Sequence, residues 1–261
     1  MVNTNLGAKV VLQGVDAADS TSSTARHDNE ARKVLLSYIF DPLCGWCYAA
    51  APLIHAAAKL PNLSVQLHAG GMMSGANRQT VSPALRNYVM PHDQRIAQLT
   101  GQPFGEDYFN GLLLDTNAIF DSTPPTLAIL AAAALGHDPL AMLGRIQTAH
   151  YAEGQRIADG TVLLALATEL GIESAAFAAA MNEQASQVDA HFAKTRAVMQ
   201  QEGLRGFPSL LLEIEGQRQH IDIGPFLGKP AEFVAWLELA AVAEASEEQV
   251  RAVFCTPESC A

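Results

Sequence analysis

Between Val34 and Phe40 the chain is apolar at every position but Ser37, over a length that suits a buried strand. Asp41-Pro42 interrupts it. A second run, Leu63 to Ala69, alternates apolar with polar and predicts another strand. The alanine-rich stretch between them, Cys44 to Leu60, predicts a helix that Pro61-Asn62 ends. Pro52 lies inside that helix and is expected to kink it, because its ring nitrogen cannot donate to the carbonyl of Tyr48. A strand, a crossover helix and a second strand predict a parallel βαβ unit, with Gly70-Gly71-Met72-Met73 at the same sheet edge as Cys44.

From Ser74 to about Gln201 the period changes to that of helices separated by short breaks. Ser82-Pro83 opens one, and Thr123-Pro-Pro-Thr precedes another over Leu127–Leu135, closed by Gly136. Asp138-Pro139 opens a helix reaching about Glu153, and Asp159-Gly160 precedes Thr161–Leu170. Ser174 is expected to cap Ala175–Asn182, and a last helix of this group runs from about Ser186 to Glu202, closed by Gly203. No fixed period repeats, so the segment predicts a bundle and not a solenoid. Ser209–Glu215 and Gln219–Ile223 flank Gly216-Gln217 and predict a β-hairpin. Ala231–Ala245 predicts a closing amphipathic helix with Phe233, Trp236, Leu237 and Leu239 on its apolar side. The predicted organisation is a polar tail over residues 1–33, one α/β domain made of residues 34–74 and 203–245, a helical insertion over 75–202, and a C-terminal segment over 246–261.

Composition narrows the function classes. Of 261 residues, 49% are hydrophobic, enough for a sizeable core, and the formal charge of −11 argues against a nucleic-acid surface. No apolar run has the length of a membrane span. Met1 to Lys33 shows neither the basic nor the apolar region of an export signal, so the expected compartment is the cytoplasm. Disulfides there are usually transient and catalytic.

That expectation bears on Cys44-Gly45-Trp46-Cys47. Cys44 falls at the start of the predicted helix, where unpaired N–H groups and the macrodipole favour negative charge and therefore a thiolate. Cys47 lies one turn on, within bridging reach. One sulfur can attack a foreign disulfide and the other can displace the mixed disulfide. A structural zinc would need a second ligand pair, and the remaining cysteines, Cys255 and Cys260, lie at the far end of the chain. In a continuous helix those two would stand about 7.5 Å apart along the axis, too far to bridge, but Pro257 breaks the helix and a small loop can close. They read as an auxiliary redox pair, as surface thiols or as metal ligands. Trp46 is either a contact for peptide substrates or a packing residue against the helical segment. Met72 and Met73 line a groove or fill the core. His92, His150 and His191 show no metal-ligand spacing and read as surface or core-edge residues. Asp41 is expected to shape the strand-to-helix turn.

Strand, C-x-x-C, a helix with a proline five residues past the second cysteine, a strand, then Gly206-Phe207-Pro208 before a hairpin and a final helix together resemble the thioredoxin superfamily. The long helical interruption resembles its DsbA-like branch. Asp41-Pro-Leu-Cys-Gly-Trp-Cys47, the stretch from His92 to Gly105 and Ile146-Gln-Thr-Ala-His-Tyr-Ala-Glu-Gly154 resemble the FrnE-like group of predicted protein-disulfide isomerases. The resemblance covers roughly Val34 to Ala240. It implies an α/β thioredoxin-like fold interrupted by an all-helical insertion, and a thiol–disulfide oxidoreductase that needs no metal or organic cofactor. Its implied partners are protein or peptide thiols and disulfides, with glutathione or a thioredoxin-like protein as reductant. It implies that Cys44 attacks, that Cys47 resolves, and that Phe207 and Pro208, joined by a cis bond facing the cysteines, hold substrate beside Trp46. Members of the group carry a C-terminal C-x4-C like Cys255 and Cys260. The pair Gly45-Trp46 departs from the histidine-bearing motifs of DsbA and of the eukaryotic isomerases, leaving oxidant, reductant and isomerase open. Glutathione-using isomerases and kappa-class transferases share the architecture but carry serine in place of the first cysteine, and a chaperone-like holder of unfolded chains is the other alternative.

Overall fold

The computed structural model describes residues 10–11 and 34–241. Its centre is a five-stranded mixed sheet in the order β1-β3-β2-β6-β7. The strands are β1 (Val10–Val11), β2 (Val34–Phe40), β3 (Leu63–Ala69), β6 (Ser209–Ile214) and β7 (Gln217–Ile221). β2 and β3 run parallel, paired from Val34 with Leu63 to Phe40 with Ala69. β6 lies antiparallel on the other side of β2, and β7 closes the edge. Both inner strands alternate at first and are then buried on both faces over their last three residues. That change marks where further layers cover the sheet, at the C-terminal end where the cysteines follow. Two residues of the segment read as a tail, Val10–Val11, pair with β3 in parallel.

The crossover helix α1 (Gly45–Ala57) contains Pro52 as expected. Between β3 and β6 lie α2 (Pro83–Thr100), α3 (Thr123–Ala134), α4 (Pro139–Tyr151), α5 (Gly160–Glu169), α6 (Ser174–Gln184) and α7 (Val188–Gln201). Helix α8 covers residues 230–241. The architecture is the thioredoxin-like sheet with a helical insertion that the resemblance implies.

Side-chain caps open α2, α4 and α6. Ser82 Oγ accepts from Leu85 N–H at 3.2 Å, and Asp138 Oδ1 from Leu140 N–H at 2.8 Å. Two starts differ from expectation. Thr123-Pro-Pro-Thr forms the first turn of α3, because prolines there forfeit only N–H groups that lack partners anyway. Glu173, not Ser174, caps α6: its carboxylate accepts from Ala175 N–H at 2.9 Å and Ala176 N–H at 2.7 Å, at the helix end that favours an anion. Helix α3 is buried on most sides, and its alanines let α4 and α6 pack close. In α8, Phe233 and Leu237 are buried and Trp236 stacks on Phe233, but Leu239 is 69% exposed. The expected apolar stripe is therefore one residue too wide, since only one side of that helix is buried. Some short elements have no counterpart in the sequence reading. A two-stranded pair joins β4 (Gln79–Thr80) to β5 (Ile119–Phe120), and a single π-helical turn spans Asp107–Gly111.

Leu212 sits fully buried in β6 at the sheet centre. Leu212→Ala is expected to destabilise the protein by about 2–5 kcal/mol, read from the midpoint of urea unfolding at unchanged slope.

Candidate active site

The sheet delivers Cys44 through a tight turn. Leu43 N–H donates to Asp41 Oδ1 at 2.9 Å and Cys44 N–H to the Asp41 carbonyl at 3.1 Å, so the carboxylate folds the turn that ends in the cysteine. Cys44 then occupies the N-cap of α1, its carbonyl accepting from Cys47 and Tyr48 N–H at 2.9 and 3.1 Å. Both cysteines are free thiols. Both are buried, but Cys44 keeps 8% of its surface exposed and Cys47 none, so Cys44 is the outer of the two. The Cys44 thiol donates to the Phe207 carbonyl at 3.5 Å. Burial pushes the Cys47 thiol well above its ordinary range, and its hydrogen bond with Cys44 adds to the shift. Tyr38, near the C-terminal end of β2, donates its hydroxyl to the Cys47 carbonyl at 3.0 Å and fixes the base of α1.

Asp41 does more than shape a turn. Its carboxyl is fully buried and accepts three hydrogen bonds, from Leu43 N–H, from Met72 N–H at 2.6 Å and from Ser122 Oγ at 2.8 Å. Ser122 also takes Met73 N–H at 3.0 Å. One acid thus joins the cysteine turn, the loop after β3 and the start of α3. Burial raises Asp41 to about 6, against the lowering effect of its three donors. Met72 and Met73 enter the site through their backbones while their side chains pack against the core.

The Phe207–Pro208 bond is cis, as the resemblance implies, and Phe207 lies against the outer cysteine. The Phe207 ring rests on Gly70, where a Cβ would stand 2.0 Å from its Cζ. Gly71, at φ +65°, is likewise approached by Phe192 of α7, with a Cβ 2.8 Å from the ring. The Gly70-Gly71 pair is therefore clearance for two aromatic rings.

Helix α2 covers the other side. Trp46 is half-buried, packs against the core, and has the Arg95 guanidinium 6.0 Å from its ring centroid. It is a packing residue with one face near solvent, between the two roles expected of it. Asp93, also on α2, is buried against Gly45 and accepts from the Tyr108 hydroxyl at 2.7 Å. Burial raises Asp93 to about 7. Neither Asp93, Tyr108 nor Ser122 stood out in sequence. The only available signal was that Asp93 falls within the His92–Gly105 stretch that carries the family resemblance.

The histidines divide. His92 is exposed with its ring tilted against Tyr88, and His191 Nε2 accepts from Ala69 N–H at 3.2 Å. His150 corrects the expectation of a surface or edge residue. It is buried among Tyr108, Phe120 and Tyr151, and burial lowers it to about 3. Among the described residues no group of three or more histidines, cysteines or acids is arranged to hold a metal. No helix among them is long and apolar enough to cross a membrane. Cys255 and Cys260 lie outside the described residues.

Asp41→Ala is expected to strand the Leu43 and Met72 N–H groups and the Ser122 hydroxyl, at a cost of about 1–3 kcal/mol for each group that water does not reach. Chemical denaturation measures the loss, and thiol titration tests whether Cys47 becomes accessible. Asp93 and Asp41 also make a pH prediction. Their folded-state values, about 7 and about 6, exceed the ordinary 3.8, so the stability each contributes is complete at low pH and is lost as pH rises through those values. The melting temperature of Asp93→Asn minus that of the wild type is expected to grow as pH rises from about 4 to about 7. A difference that stays constant over this window would contradict the assignment.

Comparison with known proteins agrees with this geometry. The DSBA-like thioredoxin domain family matches residues 36–223. The cytosolic disulfide reductase DsbM from Pseudomonas aeruginosa is similar at 54% identity and a TM-score of 0.75, over 79% of this chain and 98% of that one. A structure of DsbM with GSH is similar at 52% identity and a TM-score of 0.72, with the same coverage. A protein from Nitrosomonas europaea provisionally assigned as a protein disulfide isomerase is 25% identical, with a TM-score of 0.65 over 79% of this chain and 98% of that one. Among curated proteins none matches the sequence. With a free C-x-x-C dithiol at the head of α1 and a family match over most of its length, the chain belongs to the DSBA-like thioredoxin domain family and is a thiol–disulfide oxidoreductase.

Proposed function

We propose that this oxidoreductase works as a reductant in the cytosol, opening disulfides of proteins or peptides and recovering its electrons from a small thiol of the glutathione type. The observation that carries the reading is the graded burial of two free cysteines, Cys44 keeping 8% of its surface exposed and Cys47 none. The Cys44 sulfur attacks a substrate disulfide, forming a mixed disulfide and releasing one substrate thiol. The Cys47 sulfur then attacks Cys44, closing the internal disulfide and releasing the second. Two electrons pass to the substrate, and two molecules of the small thiol restore the dithiol while becoming one disulfide. Order follows from burial: Cys47, pushed up by its surroundings, is a poor thiolate until Cys44 is spent. In this reading Phe207 and Pro208 receive the substrate sulfur beside Cys44, and Trp46, with Arg95 over its ring, adds a further contact. Similarity to DsbM, a cytosolic disulfide reductase also solved with GSH, supports the direction, the compartment and the thiol.

Cys44→Ser is expected to abolish insulin reduction with glutathione as donor. Cys47→Ser is expected to accumulate a glutathione adduct on Cys44, seen by mass spectrometry of the intact protein. The Cys44–Cys47 couple, equilibrated with glutathione, should have a potential close to the cytosolic poise of about −220 to −260 mV, where glutathione can restore the dithiol. A value near the roughly −120 mV of strong oxidants would overturn the reductant reading.

A further inference from the structure

Helix α2 meets both residues that separate the cysteines. Arg95 lies over Trp46, and Asp93 lies against Gly45. The second contact leaves no room: a Cβ on Gly45 would stand 2.4 Å from Asp93 Oδ1 and 3.1 Å from Ile96 Cδ1. Gly45 is the first residue of α1 and the neighbour of Cys44, so a buried carboxyl oxygen touches the helix end on which the outer sulfur sits. The Tyr108 hydroxyl holds the other oxygen at 2.7 Å. Among the described residues no cation pairs with Asp93: Arg95 of its own helix is drawn over Trp46, and His92 is exposed against Tyr88. A buried acid without a counter-charge is costly, and its placement on the reactive helix start calls for a physical account.

We propose that Asp93 is a positioning residue for Cys44, whose carboxylate, held against Gly45, opposes negative charge on the Cys44 sulfur and so makes the dithiol a stronger reductant. A helix N-terminus favours a thiolate, and a like charge beside it disfavours one. The thiolate belongs to the reduced form alone. Destabilising that form shifts the couple toward the disulfide and lowers its potential, the reverse of how a stabilised reduced form makes an oxidant. The glycine in Cys44-Gly45-Trp46-Cys47 is then explained as the clearance that admits the carboxyl. The arrangement also titrates. Burial places Asp93 at about 7, so the opposing charge is present above neutrality and withdrawn below it. The titratable groups tied to Asp93 are Tyr108, by its hydrogen bond, and Tyr151, by charge; His150 packs on both of those rings, and His92 and Arg95 share α2 with Asp93. Tyr108 and Tyr151 are pushed well up and His150 down to about 3, so these three keep their charge state around neutrality.

The inference rests on Cys44 being the attacking sulfur, but not on the direction of the physiological reaction. The test uses the full chain, reduced, as wild type, Asp93→Asn and Tyr108→Phe. Iodoacetamide alkylation of Cys44 is followed by mass spectrometry from well below to well above neutral pH, alongside equilibration with glutathione for the potential. Asp93→Asn is expected to alkylate at least about threefold faster than wild type above neutrality, to converge with it in acid, and to have a higher potential. Tyr108→Phe removes the hydrogen bond that favours the ionised carboxyl, so the pH at which Cys44 becomes restrained is expected to rise. A cooperatively folded Asp93→Asn with wild-type alkylation rates and potential would reduce Asp93 to a tether for α2. Should that variant fail to fold, an unchanged pH profile in Tyr108→Phe overturns the proposal. Cys44→Ser that keeps its turnover would instead refute the assignment of the nucleophile, a separate outcome.

Discussion

A carboxyl removed from water must find its hydrogen bonds inside the protein, and Asp41 finds them in its own turn and on two segments remote in sequence. Leu43 belongs to the turn that aims Cys44, Met72 to the loop after β3, and Ser122 to the start of the helical insertion. None of these donors can shift alone without leaving the acid unsatisfied. The geometry of the cysteine turn is therefore coupled to the docking of the insertion on the sheet. This is why a helical segment that contributes no cysteine is part of the active site.

Close approach is the second constraint. Gly45 and Gly70 each stand where a methyl group would overlap a neighbour, Asp93 in one case and the Phe207 ring in the other. The dithiol is thereby gripped from two sides, by α2 and by the segment leading into β6. Packing this tight leaves Cys44 slightly exposed and Cys47 wholly covered, and that difference sets the order in which two chemically identical groups react. The same burial moves the ionisable groups around them, raising Asp41 and Asp93 toward neutrality.

Much of this was legible from residues alone. Both inner strands were readable with their observed limits, because their apolar runs are bounded by Asp41-Pro42 and by Gly70-Gly71. The proline inside α1, the cap at Ser82 and the hairpin of β6 and β7 each follow from local rules. Where local rules failed, a long-range or competing contact had prevailed. Glu173 displaced Ser174 as a cap because its longer side chain reaches two N–H groups. Leu239 faces solvent because only one side of α8, that of Phe233 and Leu237, is buried. His150 is in the core because α4 is walled by aromatic rings that no periodicity announces.

By itself the sequence determined the chemistry on offer: two thiols at helical spacing after a strand, a breaker to turn the chain, and a proline before the hairpin. These are properties of neighbours along the chain, and short-range sterics and hydrogen bonding suffice to express them. Tertiary structure alone decided how far each cysteine is covered, that Gly45 is clearance for Asp93, and that Asp41 is satisfied by donors 31 and 81 residues away. Burial and cross-chain contact depend on how remote segments pack, and the energy of a buried charge is fixed only when its whole surroundings are in place.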